Sequence, residues 1–182
     1  MDKMLALALK IQGNFKGMYL AGGTAIMLKY NHRKSYDLDF FSFKPFSFRH
    51  TSYKIRKIFP IEREEEFTDN IDFFIEGIKV SFVFFPFRNI SATQKLKKLN
   101  MADDYDLFLN KIYAAGKRID PKDPFDAAFL YKKHLWDKNE IKRDFLAKFE
   151  GQSYEIFLGA LLNFEDYGDL EKWVRETLSG LI

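Results

Sequence analysis

A short strand that runs into two glycines and a helix, and is then followed by a second strand, most limits the fold of this chain. Met18–Leu20 is apolar and predicts the first strand, and Gly22-Gly23 allows a tight backbone turn after it. Ala25–Tyr30 predicts a helix with Thr24 in the N-cap position. Tyr36–Phe43 alternates with a period of two, which is typical of a strand.

The periodicity of the chain changes near residue 100. Before this point, short alternating segments predict two or three more strands, at Ile61–Phe67, Ile71–Ile75 and Ile78–Phe85, with Glu76-Gly77 as a hairpin turn. After it, apolar side chains recur at helical spacing, including a core-facing stripe at Ile141, Phe145 and Phe149. We therefore expect an α+β fold with two parts, an α+β core over residues 1–100 and a helical region over 101–182 that packs on the core.

Composition excludes several classes of protein. Hydrophobic residues make up 47 % of the 182, with 21 phenylalanines, so a disordered chain is excluded. The absence of cysteine removes disulfides and cysteine-ligated zinc. The net charge of +3 does not by itself indicate nucleic-acid binding. Since no apolar run has the length of a signal peptide or a membrane helix, we expect a cytoplasmic protein without a membrane partner.

The Gly22-Gly23-Thr24 turn is a candidate phosphate-binding site. Two glycines let a ligand approach the backbone closely, and the following helix directs free N–H groups and its positive dipole end toward that ligand. The hydroxyl of Thr24 would lie in the same place. An ordinary strand–helix turn with a threonine cap explains the same three residues.

Asp37 and Asp39 form a candidate metal site on the second strand. Residues two apart in a strand share a face, so both carboxylates point the same way while Leu38 and Phe40 enter the core. Adjacent carboxylates repel each other unless a cation lies between them, and oxygen ligands of this kind suit Mg²⁺ or Mn²⁺. The alternative is a solvated polar face on an edge strand.

Together the two motifs resemble those of the nucleotidyltransferase superfamily, with its polymerase β-like mixed-sheet core. The segments Tyr19–Ile26 and His32–Phe41 are similar to the AbiEii/AbiGii toxin group of bacterial toxin–antitoxin and abortive-infection systems. The resemblance implies transfer of a nucleoside monophosphate from an NTP with Mg²⁺ as cofactor, a tRNA 3′ end as acceptor, and a cognate antitoxin as partner. It also implies nucleotide binding by Gly22, Gly23, Thr24, Arg33 and Ser35.

A second block of residues matches the same group at Asp106, Lys111, Arg118 and Lys122–Asp126. The resemblance implies that Lys111 and the acidic position Asp126 close over the nucleotide and take part in catalysis. Lys111 as a solvated basic residue is the alternative. Helix capping is the alternative for the acids, with Asp123 at the N-cap, Pro124 at N1 and Asp126 at N3.

Ser81 departs from the superfamily pattern, in which a later strand carries a third carboxylate. Serine is a poor metal ligand and does not serve as a general base, so two-metal catalysis requires another acid, with Asp126, Asp72 or Glu76 as candidates. Two further hypotheses therefore stay open: an enzyme that modifies a protein or a small molecule, and a catalytically silent nucleotide- or RNA-binding module.

Basic and aromatic segments give two weaker indications of nucleic-acid binding. We expect basic residues near the junction of the two parts to contact a tRNA backbone, namely Lys95, Lys97, Lys98, Lys111, Lys117 and Arg118. The phenylalanine-rich stretches 40–48 and 82–87 suit base stacking or core packing, and the aromatic content of the whole chain favours core packing.

Overall fold

The computed structural model describes residues 2–182, in which mixed α and β elements are followed by helices, as predicted. The strands are β1 Tyr19–Ala21, β2 Asp37–Ser42, β3 Arg63–Glu66, β4 Asn70–Ile75, β5 Ile78–Phe84, β6 Gln94–Leu96 and β7 Leu99–Met101. The helices are α1 Asp2–Asn14, α2 Gly22–Tyr30, α3 Phe48–Arg56, α4 Asp104–Ala115, α5 Lys122–His134, α6 Lys138–Lys148, α7 Tyr154–Leu162 and α8 Lys172–Ser179, with a 3-10 helix at Phe164–Tyr167.

The chain divides into two units. The sheet unit comprises the residues up to Arg88 together with Ala92–Ala102, and the helical unit comprises Asn89–Ser91 together with Asp103–Ile182. The strands of the described chain lie in the sheet unit with α1, α2 and α3, while the helices from α4 onward lie in the helical unit.

The seven strands form one mixed sheet in the order β3-β4-β5-β2-β1-β7-β6. The β2–β5 and β1–β7 pairs are parallel, and the other neighbouring pairs are antiparallel. The predicted α+β class with a mixed-sheet core is therefore confirmed. The central position of β2, between β1 and β5, places its side chains in the middle of the sheet.

The two faces of β2 differ as its period of two predicts. Leu38 and Phe40 are fully buried, whereas Asp37 and Asp39 are half-buried on the other face. On the buried face, the ring of Phe82 from β5 packs against Phe40 at a centroid distance of 5.8 Å. This aromatic packing fixes β2 against β5 and therefore fixes the direction in which the two aspartates point.

The core of the helical unit is also aromatic. Ile141, Phe145 and Phe149 are fully buried, as their spacing predicts. The ring of Tyr113 stacks between Phe149 and Phe157 at centroid distances of 4.4 and 5.3 Å. None of the helices in the described residues has the length and apolar character that crossing a membrane requires.

Two local assignments are wrong, and two strands were not predicted. Helix α2 begins at Gly22 with Ala21 as its N-cap residue, so Thr24 is not the cap. Helix α5 begins at Lys122 after Pro121, so Asp123 lies inside its first turn. Strands β6 and β7 were not predicted, because three-residue strands joined by a Lys97-Lys98 turn carry neither a clear alternation nor a glycine turn signal.

Candidate functional site

The closest approach in the candidate site is between Gly22 and Asp39. Ala21, the last residue of β1, pairs with Asp39 of β2, and Gly22 follows with a φ of +67°. A Cβ atom built on Gly22 would overlap the Oδ2 oxygen of Asp39 and lie 3.3 Å from its Cγ. Glycine is therefore required here for its backbone conformation and for the space that the carboxylate occupies.

This contact places the Asp39 carboxylate beside the first turn of α2. The first backbone N–H groups of a helix have no partner within the helix, and its N-terminus carries partial positive charge. Asp37 lies on the same face of β2, two residues away, and is half-buried like Asp39. The structure thus brings the two predicted aspartates and the predicted phosphate-binding turn together in the sheet unit.

The donor set suits a divalent cation that shares its coordination with a substrate. Among residues 2–182 no group of three or more histidines, cysteines or acids is arranged to hold a metal ion. Two carboxylates with a neighbouring helix N-terminus match the way Mg²⁺ is usually bound, through one or two carboxylates together with water and substrate phosphates. Asp37 and Asp39 are the residues that would hold it.

Thr24 is buried and holds the strand in place. Its hydroxyl is hydrogen-bonded to the Ser35 hydroxyl at 2.8 Å and donates to the backbone carbonyl of Asp37. These bonds join α2 to the start of β2, so they position Asp37. The predicted contact of Thr24 and Ser35 with nucleotide stays a prediction, as does that of Arg33, whose guanidinium donates to the backbone carbonyl of Lys34 at 3.0 Å.

Ser81 lies directly beside Asp39 in the sheet. The two residues are register partners in the parallel β2–β5 pair, so their side chains share a face. Ser81 is in turn the partner of Asp72 in β4. The position where a third carboxylate would adjoin Asp39 is therefore occupied by a buried serine.

Two of the three acids suggested as substitutes for Ser81 belong to the sheet unit and do not adjoin Asp39. Asp72 is two strands from Asp39, about 10 Å away at ordinary strand spacing, and it accepts a hydrogen bond from Asn70 at 2.7 Å. Glu76 lies in the β4–β5 turn and forms an exposed ion pair with Lys3 at 3.4 Å. Asp126 belongs to the helical unit.

Lys111 and Asp126 form part of a buried ion-pair cluster in the helical unit. The ammonium nitrogen of Lys111 is 2.7 Å from Asp123 and 2.9 Å from Asp126, and all three side chains are buried. Arg118 adds a bidentate pair with Asp123, at 2.9 and 3.1 Å. Two cations thus face the two buried carboxylates, and Arg118 also lies 3.8 Å from the carboxylate of Asp120.

The charges of the cluster stabilise one another. Burial alone would lower the pKa of Lys111, but the carboxylates of Asp126 and Asp123 outweigh it and raise the pKa above 10.5. Burial alone would raise the pKa of Asp123, but Lys111 and Arg118 outweigh it and lower the pKa below 3.8. Capping, the alternative interpretation of Asp123 and Asp126, is wrong because α5 begins at Lys122, and the roles of Lys111 and Asp126 in catalysis stay predictions.

Sequence reasoning missed a second buried ion pair, between Asp106 and Lys148. Their side chains are fully buried and lie 2.6 Å apart, and Asp106 also accepts hydrogen bonds from the backbone N–H groups of Ile90 and Ser91, each at 2.9 Å. Asp106 thereby binds the segment Asn89–Ser91, which belongs to the helical unit. A lysine at the end of an apolar helix stripe, beside Phe149, was the available signal.

Comparison with known proteins agrees with these motifs. The model of the AbiEii family, described as the nucleotidyl transferase AbiEii toxin of a type IV toxin–antitoxin system, matches residues 4–176. An uncharacterized protein of Aquifex aeolicus (strain VF5), aq_aa25, is 34 % identical over 167 residues, covering 87 % of this chain and 81 % of that protein.

A solved structure shares the fold. The crystal structure of JHP933 from Helicobacter pylori covers 98 % of this chain and 92 % of its own, with a TM-score of 0.56 and 15 % identity. A likeness at this identity concerns the fold alone, whereas the family match extends over nearly the whole chain. The chain belongs to the AbiEii family of nucleotidyltransferase toxins.

Proposed function

We propose that this chain transfers a nucleoside monophosphate from an NTP to the 3′ end of a tRNA and releases pyrophosphate, with Mg²⁺ or Mn²⁺ as cofactor. The observation that carries the proposal is the placement of the Asp39 carboxylate against Gly22, at the positive end of α2, with Asp37 on the same face of β2. A cation-binding pair beside a helix N-terminus suits a metal-bound triphosphate.

The residues divide the work of the reaction between them. In the transfer, an acceptor hydroxyl gives its proton to solvent water, and its oxygen bonds to the α-phosphorus as the bond from that phosphorus to the pyrophosphate oxygen breaks. The first N–H groups of α2 would bind the phosphates that leave, and Asp37 and Asp39 would hold the cation. Mg²⁺, when bound, neutralises the charge that develops on the phosphate oxygens. The hydrogen bond from Thr24 to the backbone carbonyl of Asp37 positions Asp37 next to α2.

Lys111 and Asp126 enter the proposal through the family resemblance alone. A lysine able to steady a triphosphate needs an ammonium that is not already neutralised, and Lys111 faces two carboxylates. We retain both residues as candidates and separate their structural contribution from a catalytic one by experiment. A cognate antitoxin is the proposed protein partner, since the family belongs to toxin–antitoxin systems.

The buried Ser81 beside Asp39 favours one other function, a nucleotide- or RNA-binding module without transfer activity. A serine offers no carboxylate for a second metal ion and no general base. Such a module would still bind NTP with a cation at Asp37 and Asp39. It therefore differs from the enzyme in transfer and not in nucleotide affinity.

Calorimetric titration with a non-hydrolysable NTP tests the nucleotide site. Binding should require Mg²⁺ or Mn²⁺, because bare carboxylates repel a triphosphate and the cation reverses the sign of that interaction. Asp39→Asn should abolish the binding, while the matched control Asp69→Asn, at an exposed position of the same unit, should leave it unchanged. Equal NTP affinity with and without EDTA would show that nucleotide binding does not require a metal ion.

A transfer assay with labelled NTPs tests the acceptor. Purified protein with Mg²⁺ should label bulk tRNA in preference to protein, and Asp39→Asn should not. If the protein itself or a small molecule carries the label and tRNA does not, then tRNA is not the acceptor. Metal-dependent NTP binding without transfer to any acceptor would identify the silent module.

A further inference from the structure

Charge is distributed very unevenly along the chain. Between Lys3 and Ile61 there are eleven lysines and arginines, and the only acidic residues are Asp37 and Asp39. Both acids belong to the candidate site, so the rest of this segment carries only positive and neutral side chains. Positive surfaces of this kind attract phosphate backbones.

A groove in the sheet unit concentrates these features. It has a volume of about 480 Å³ and lies between the end of α1 and the first half of α3. Lys16, His50 and Lys54 line it, and no acid occurs among its lining residues, all of which belong to the described part of the chain. Phe15, Met18 and Phe46 also line it and add apolar surface.

Phe46 also lines a second groove. The second groove, of about 450 Å³, is lined by Phe46 and Arg49 together with Phe48, Phe84 and Glu66. Phe46 is half-buried, and its ring packs against Phe48 at a centroid distance of 5.2 Å. Partly exposed aromatic rings in cation-lined grooves are the usual platforms on which unpaired bases stack.

Neighbouring aromatic side chains carry cations as well. Phe43 is 39 % exposed, and its ring has Lys44 and Arg88 each at 5.6 Å from the centroid. Tyr53 is 59 % exposed, with Lys57 at 4.3 Å. The predicted preference of the stretch 40–48 for core packing therefore applies to Phe40 but not to Phe43.

The groove lies at the end of the sheet opposite the candidate active site. Because β1 and β2 are antiparallel, the start of β1 and the end of β2 adjoin the groove, while Gly22 and Asp37 lie at the other end. The length of β2 separates the groove from the candidate active site by about 17 Å, a distance that about five stacked nucleotides span.

We propose that the groove lined by Lys16, Phe46 and Lys54, together with Arg49 of the second groove, binds single-stranded RNA, with phosphates on these cations, which form a cationic rim, and a base on Phe46. The choice of RNA rests on the proposed transfer to tRNA, whereas the groove, its charge and its aromatic platform do not. An acidic protein segment would use the cations but not the partly exposed ring.

Anisotropy titration of a labelled, unstructured 12-nucleotide RNA across a salt series tests the cationic rim. Lys16→Ala/Arg49→Ala, at two exposed positions, should weaken binding and reduce the log–log salt slope by about 1.4, because each lost phosphate contact removes about 0.7. Lys142→Ala/Lys172→Ala removes the same charge from exposed positions of the helical unit and should change neither quantity. Equal losses in both double variants would overturn the proposal.

Substitutions of Phe46 test the platform. Phe46→Leu keeps apolar packing but removes the ring, so it should weaken RNA binding about tenfold while leaving the salt slope unchanged. Phe46→Trp keeps a ring and should retain affinity. Unchanged affinity in Phe46→Leu would overturn the stacking role.

Competition and nucleotide binding separate this proposal from its alternatives. Polyglutamate of matched charge should displace the RNA poorly, and equal displacement would indicate an acidic protein partner and overturn the choice of RNA. The rim and ring variants should keep metal-dependent NTP binding. If the groove binds RNA but the chain binds no NTP, the proposed function is refuted and the RNA-binding proposal is kept. If the chain binds NTP but the groove binds no RNA, only the RNA-binding proposal is refuted.

Discussion

Replacing Lys111 by methionine separates the structural role of the buried cluster from a role on the nucleotide. Methionine has nearly the length of lysine without its charge, so Asp123 keeps Arg118 while Asp126 loses the ammonium at 2.9 Å. Removing one partner of a buried ion pair costs about 3–5 kcal/mol, because the remaining buried charge loses its counter-charge. For a chain of this length, we expect the melting temperature to fall by roughly 6–20 °C.

Tryptophan fluorescence is the assay, since both tryptophans, Trp136 and Trp173, lie in the helical unit. Thermal and urea unfolding of Lys111→Met are compared with Lys172→Ala, which removes an exposed pair with Glu176 and should cost less than about 1 kcal/mol. The double variant Lys111→Met/Asp126→Asn should recover part of the loss, because it also removes the buried carboxylate that lost the ammonium of Lys111.

The pH dependence of the wild-type protein follows from the two shifted pKa values. The pKa of Lys111 is raised, so its stabilising contribution is complete below pH 10.5 and is lost as the pH rises through the higher folded value. The pKa of Asp123 is lowered, so its contribution is present above pH 3.8 and is lost as the pH falls. We therefore expect the cost of Lys111→Met to be constant from about pH 5 to about pH 9.

One result would refute this reasoning. A Lys111→Met protein as stable as the Lys172→Ala control, yet unable to transfer label, would show that the ammonium acts on the triphosphate and not on the helical unit. A large loss of stability with normal metal-dependent NTP binding would assign Lys111 to the structure.

Three further substitutions test the geometry. Gly22→Ala should displace the Asp39 carboxylate and abolish metal-dependent NTP binding in calorimetry, at a stability cost of about 1–3 kcal/mol for its φ of +67°; normal binding would contradict the close approach. Ser81→Asp should raise divalent-cation affinity or transfer rate, since it places a carboxylate beside Asp39; a folded variant with neither change would count against a site on this face. Asp106→Ala should destabilise the helical unit more than Lys148→Met in urea unfolding, because it leaves two backbone N–H groups and an ammonium without their acceptor; the opposite order would refute this.

The sequence was sufficient to predict the geometry of the two aspartates. An alternating segment has only two faces, so the burial of Leu38 and Phe40 fixes the direction of Asp37 and Asp39. The requirement for glycine at position 22 was also visible, although its second cause, the Asp39 oxygen, depends on the pairing of β1 with β2.

The buried ion pairs were not predictable in the same way. Asp123 lies beside a proline at the start of a helix, and its neighbours along the chain make a cap the simplest explanation. Its partner Lys111 is twelve residues away on another helix, and only the packing of α4 against α5 brings the two charges together. Local patterns specify which face of a helix is buried but not which charges meet there.

The path of the chain has a consequence for attempts to dissect the protein. Asn89–Ser91 belongs to the helical unit, where Asp106 accepts the N–H groups of Ile90 and Ser91, and the chain then returns to form β6 and β7. A fragment that stops at Arg88 would lack β7 and leave β1 as an open sheet edge, which promotes aggregation. A fragment that starts at Asp103 would lack Ile90 and Ser91, whose N–H groups donate to Asp106. No single cut of the chain therefore yields two intact units. Co-expressed fragments would have to keep Asn89–Ser91 with the helical unit and Ala92–Ala102 with the sheet unit.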